Sequence, residues 1–199
     1  MTTFYERKAE YWARDLADRT FETEVKAGLA ALGWEYEDAT AAHDRPDITF
    51  TRRVRSKIVR AALELKEKRQ PYRQRWAELA GLPEPELLVL DEVAARKLLA
   101  RAPAAFLLFR DGTRPEQPYV LFTIIDLFCM PKVRVLRQLN LRERTAKAKW
   151  LLDRRHGRAC ADLNTAFALM ATYLDRDMLV QLQALDAHGT FVGEKVETL

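Results

Sequence analysis

Cysteine and histidine are scarce in this 199-residue chain: two cysteines, Cys129 and Cys160, lie far apart, and three histidines are scattered. That excludes a zinc-ligand pattern and a disulfide framework, and reads as reduced core thiols in a cytoplasmic protein. Long apolar runs are missing too. No stretch of about 18 residues is free of charge, so no membrane span is expected. The opening "MTTFYERKAEYWARDLADRT" is charged throughout and has no apolar segment of signal-peptide type. Internal repeats, low-complexity tracts and linkers are absent, as are helicase, zinc-finger and ATPase signatures. The length suits one domain spanning 1–199.

What the chain has in plenty is charge, unevenly placed. Hydrophobic residues make up 48% and charged ones 31%, enough for a sizeable core under a charged surface. Residues 52–75 hold ten Lys or Arg against two Glu, and residues 132–158 hold ten against Glu143 and Asp153. The net charge is only +4, so the remainder is acidic. Such segregation points to a surface for a polyanion, the alternative being a solvated basic face.

The periodicities predict an order of elements. Thr3 and Glu6 form a capping-box pattern for a helix to about Leu16. A second helix starts near Thr20, carries the stripe Phe21, Val25, Leu29 and Leu32, and ends at Gly33. "WEYEDAT", "PDITFTR" and "KIVRAALELKEK" read as three strands. "RRVRSK", lacking Gly and Asn, reads as a longer basic hairpin loop. Helices follow over "PYRQRWAELAG", with Pro71 in its first turn, and "DEVAARKLLARA", opened by Asp91. "AFLLFRDG" and "YVLFTIIDLFCM" read as buried strands and "KVRVLRQL" as a basic one. From Arg142 on, including "RTAKAKWLLDRR", the chain reads as helical. The expected fold is α/β, one mixed central sheet flanked by helices, with a core over about 20–137 and a helical C-terminal portion over about 142–188.

One stretch carries the chemistry. Pro46 and Asp47 open a strand, and Glu64, Leu65 and Lys66 lie in the next, where alternation puts Glu64 and Lys66 on one face. Helix, strand, "PD", strand, "ELK", helix, strand resembles the core of the PD-(D/E)XK nuclease superfamily over about residues 20–111. The resemblance implies a restriction-endonuclease-like fold and a Mg²⁺-dependent hydrolysis of phosphodiester bonds, with Mn²⁺ as a substitute. It makes Asp47, Glu64 and the carbonyl of Leu65 the metal ligands and Lys66 the catalytic lysine. Carboxylates suit a hard cation that keeps several waters, and a lysine beside them stabilises charge developing on the phosphate. Many members add a helix glutamate. Glu22 is preferred here because it shares the stripe of Val25 and Leu29, with Glu24 the alternative.

Around this core, Arg52, Arg53, Arg55, Lys68 and Arg73 are candidate nucleic-acid contacts. Gln70, Gln74 and His43 are weaker candidates for the site, and Asp126 has no assigned role. Arg142, Lys149, Arg154 and Arg158 offer a second phosphate track. The functional expectation is a DNA endonuclease of restriction or defence type, RNA remaining open as substrate. The alternatives are a non-catalytic nucleic-acid-binding subunit of the same fold, or a cutting subunit of a transposition or repair complex. A homodimer is expected, joined through Phe167, Leu169, Met170, Tyr173 and Leu174.

Overall fold

The computed structural model describes residues 20–40, 44–140, 145–176 and 194–198, the side chains of 137–146 and 194–198 excepted. The helix expected over Thr3 to Leu16 lies outside them, as do His43 and Arg142.

A mixed six-stranded sheet forms the centre. Its strands are β1 (Glu35–Asp38), β2 (Ile48–Val54), β3 (Lys57–Lys68), β5 (Ala105–Asp111), β6 (Tyr119–Thr123) and β9 (Arg158–Cys160), in that spatial order. β3 and β5 are parallel, and the other neighbours antiparallel. A second sheet, in the order β10 (Glu194–Thr198), β7 (Lys132–Asn140), β8 (Thr145–Asp153), β4 (Leu87–Asp91), stands beside it.

Alternation along β3 decides which helix goes where. Leu63 and Leu65 face a core shared with Phe21, Val25 and Leu29 of α1 (Thr20–Ala31) and with Phe167, Met170 and Leu174 of α5 (Leu163–Asp175). Ala62 faces the other way. It joins Ala94, Ala95 and Leu98 of α3 (Glu92–Leu99), Leu127 of α4 (Ile124–Cys129), and Leu88, Leu90, Trp150 and Leu152 of the second sheet. A third cluster seats Ala77 of α2 (Gln74–Ala80) on Leu87, Val135 and Leu151, behind the second sheet. No helix among the described residues is long and apolar enough to cross a membrane.

Several expectations need correction. "TAKAKWLLD" is strand β8, not helix. Ala and Lys favour helices, but Ala148, Trp150 and Leu152 repeat with period two, and pairing with β4 and β7 outweighs the propensity. The portion expected to be helical over 142–188 therefore contains β8 and β9 before α5 begins. "YVLFTIIDLFCM" is strand only to Thr123. There Thr123 and Asp126 close a capping box and start α4, which gives Asp126 its role. "LLVLD" adds an unforeseen strand, β4. Pro71 lies before α2 rather than in its first turn. The β2–β3 loop is a two-residue turn, with Val54 paired to Lys57 and Arg55 taking the left-handed conformation (φ 54°) that Gly or Asn usually fills.

The residues expected at a dimer contact are core instead. Phe167, Met170, Tyr173 and Leu174 are at most 1% exposed, and Leu169 packs against the same cluster. Their stripe closes the sheet face beside α1, where Gly28 meets Phe167: a Cβ on Gly28 would stand 2.9 Å from Phe167 Cζ and closer to Cε2. Gly28→Ala would gain about 1 kcal/mol in helix propensity. Overpacking against a buried ring costs more, about 1–3 kcal/mol. The expected outcome is a lower melting temperature, read by thermal unfolding; a rise would mean that α1 and α5 are not in this contact.

Candidate active site

The β2–β3 ladder ends at the pair Ile48 and Leu63. Two residues further along β3, the Leu65 amide points toward the β2 side with no strand opposite. The Asp47 carboxylate takes its place: Leu65 N–H donates to Asp47 Oδ2 at 2.9 Å. Asp47 precedes Ile48, so its side chain lies on the sheet face opposite Ile48, the face of Glu64 and Lys66. The N–H and C=O of one strand residue point the same way, so the Leu65 carbonyl also lies on the Asp47 side.

Glu64 is 1% exposed, and Lys66 Nζ donates to its Oε1 at 2.7 Å while standing 3.8 Å from Asp47 Oδ2. A second lysine enters from α3, Lys97 Nζ lying 3.1 Å from Glu64 Oε2. Burial pushes the Asp47 carboxyl above its ordinary value, and the Glu64 charge adds to this against the pull of Lys66 and Lys97. Burial acts to lower the Lys66 ammonium, but Glu64 and Asp47 outweigh it and hold it raised, so Lys66 is a cation at neutral pH.

These groups open into a cavity of about 860 Å³. Asp47, Glu64 and Lys66 form one wall. Asp91, Glu92, Arg96 and Lys97 come from the start and body of α3, and Arg134, Leu136, Lys147 and Ala148 from β7 and β8. Glu92 is clamped between Arg96 Nη2 at 2.6 Å and Arg134 Nη2 at 2.7 Å. Burial opposes its charge, but the two arginines hold its carboxyl below the ordinary value. Asp91 is ion-paired with Lys149.

The donor set fits a hard divalent cation. Two carboxylates converge with a main-chain carbonyl on their side, and no cluster of three or more His, Cys, Asp or Glu in metal-binding proximity occurs among the described residues. Two or three protein oxygens leave room for the waters and substrate oxygens that Mg²⁺ retains.

Other candidates fall elsewhere. Glu22 sits on α1, whose stripe packs on the Leu63 and Leu65 face, and it does not line the cavity. Glu24 pairs with Arg110 at 3.1 Å. Arg52 is bound to Asp175 at the end of α5 and lies over Trp34, on the far face. Arg53, Arg55 and Arg73 are exposed. Gln70 and Gln74 are exposed and outside the cavity. Arg154 is buried and donates to the Gln117 carbonyl, so it offers nothing to a phosphate track.

Lys68 is corrected most sharply. It is 1% exposed, donates to the carbonyls of Glu84 and Leu87 at 3.2 Å each, and pairs with Glu84 Oε1 at 3.0 Å. The face it shares with Lys66 is closed at that end by the segment entering β4. Sequence reasoning also missed Lys97, because a lysine in an amphipathic helix carries no signal of its own. Arg134 and Lys147 were visible only as members of the basic segment 132–158.

Removing one partner of a buried ion pair costs about 3–5 kcal/mol. Lys68→Met should therefore lose stability on that scale in urea unfolding. A variant as stable as the wild type would mean that Lys68 is not held in this buried pair.

No family model matches the chain, and no curated protein does. Among solved structures, one that it is similar to is Hjc of Archaeoglobus fulgidus, a Holliday junction resolvase from an archaeal hyperthermophile. The identity is 15%, the alignment covers 71% of this chain and 98% of that one, and the TM-score is 0.39. Another is a nuclease from a fusselovirus, at 10% identity, covering 87% of this chain and 98% of that one, also with a TM-score of 0.39.

Proposed function

We propose that the protein is a metal-dependent nuclease of PD-(D/E)XK type that hydrolyses phosphodiester bonds in DNA, acting as a stand-alone endonuclease. The observation that carries this reading is the convergence of Asp47, Glu64 and Lys66 on one cavity whose other walls bring Arg96, Arg134 and Lys147. A solvated strand face has no reason to bury Glu64 to 1% exposure or to seal the end of a ladder with a carboxylate.

In this reading Asp47, Glu64 and the Leu65 carbonyl hold Mg²⁺ or Mn²⁺. The ion, when bound, lowers the pKa of a water and neutralises charge on the phosphate. Lys66 supplies the fixed positive charge beside the scissile phosphate and holds an attacking water by hydrogen bonding. Arg134 and Arg96 line the cavity with their Nε and Nη2 committed to Glu92, which leaves the remaining guanidinium N–H groups for phosphate oxygens. Arg53 is exposed and shares the strand face of Asp47, which extends the cationic path to the turn at Arg55.

The deciding experiment incubates the protein with supercoiled plasmid, linear duplex and single strands in Mg²⁺, Mn²⁺ or EDTA. Cutting is expected with either ion and none in chelator. Lys66→Ala should lose at least about 100-fold in rate while keeping most of its DNA affinity, because its charge acts on the transition state. Asp47→Ala and Glu64→Ala should lose cutting together with metal binding. Undiminished cleavage in EDTA, or Lys66→Ala at the wild-type rate, would overturn the assignment.

Affinity for duplex should fall steeply with salt as counterions are released. Replacing Arg53 and Arg55 together by Ala is expected to reduce the slope of log affinity against log salt by about 1–2. An unchanged slope would mean that the β2–β3 turn faces away from the backbone.

A further inference from the structure

Glu64 is held from two sides. Lys66, its neighbour along β3, takes Oε1 at 2.7 Å, and Lys97 takes the Oε2 side at 3.1 Å. Lys97 belongs to none of the motif residues. It comes from α3, which is docked on the sheet through Ala94, Ala95 and Leu98, and its side chain is 11% exposed. An ammonium so enclosed is fixed at the carboxylate rather than moving freely in solvent.

The charges at this point balance: Asp47 and Glu64 against Lys66 and Lys97. A divalent ion held by Asp47 and Glu64 must then share Glu64 with the Lys97 ammonium, and enters a site that is already neutral. Coulomb repulsion between the two cations across a few ångströms of partly buried protein is not screened away.

We propose that Lys97 is a positioning residue that sets the metal affinity of the site, neutralising and orienting Glu64 before the metal arrives and opposing the metal once it is bound. This inference rests on the reading of Asp47 and Glu64 as metal ligands. A lysine that merely pins α3 to the sheet has a different signature: its loss lowers stability and leaves metal affinity where it was.

The test is a Mn²⁺ titration followed by electron paramagnetic resonance, with no nucleic acid present. The proteins are the wild type, Lys97→Met, Lys97→Arg and Glu64→Gln, each checked by thermal unfolding. Lys97→Met is expected to bind Mn²⁺ roughly tenfold or more tightly than the wild type, as removal of a cation beside the ligand dictates. Lys97→Arg, which keeps the charge, should stay near the wild type. Should Lys97→Met fail to fold, Lys97→Gln removes the charge while keeping a polar side chain and carries the same expectation. Wild-type binding that Glu64→Gln weakens, together with unchanged or weaker binding in the folded neutral variant, overturns the role of Lys97 alone. Binding that Glu64→Gln does not weaken, or no binding in any of the proteins, overturns the metal reading and this inference with it.

Discussion

The hydrogen bond from the Leu65 amide to the Asp47 carboxylate is the point on which the site depends. The β2–β3 ladder stops two residues short of Leu65, and an uncovered amide inside a protein must find an acceptor. Because the acceptor is the side chain of Asp47, the residue just before β2, the end of a ladder becomes the place where two carboxylates meet. A longer β2 would satisfy Leu65 with a carbonyl and free the Asp47 carboxylate from that hydrogen bond.

Bringing those carboxylates together in a buried place creates an electrostatic debt that the rest of the fold meets. Lys66 comes from the same strand, but one ammonium cannot balance Asp47 and Glu64. α3 supplies Lys97, and the second sheet supplies the arginine that holds Glu92 in place at the start of that helix. Arg134 therefore has two connections, to the helix that carries Lys97 and to the cavity itself. The second sheet is thus a wall of the site and not an appendage.

Legibility followed the range of the physical cause. α1 was readable through Phe21, Val25 and Leu29 and in its terminating glycine, Gly33 with φ 67°, because a helix stripe and a left-handed cap are local properties; Leu32, expected in the stripe, lies past the helix end at Ala31 and is exposed. β8 was misread because Ala146 to Lys149 carry helix propensity, and only the strands on either side reveal the period of two. Phe167, Met170, Tyr173 and Leu174 looked like too much apolar surface for one helix until the sheet face beneath them was in view. The Thr123 and Asp126 capping box was present in the sequence but hidden inside an apolar run.

At the site, the sequence by itself determined the residues whose placement follows from one strand. Glu64 and Lys66 alternate with Leu63 and Leu65, and no tertiary contact is needed to put the charged pair on one side. Only the tertiary structure decided which helix shares that side. α1 and its Glu22 went to the leucine face, and α3 with Lys97 to the carboxylate face. The same decision separated Lys66, open to the cavity, from Lys68, closed in by Glu84 and Leu87. The reason is that a strand fixes the direction of its own side chains, whereas what stands opposite them depends on chain crossings made dozens of residues away.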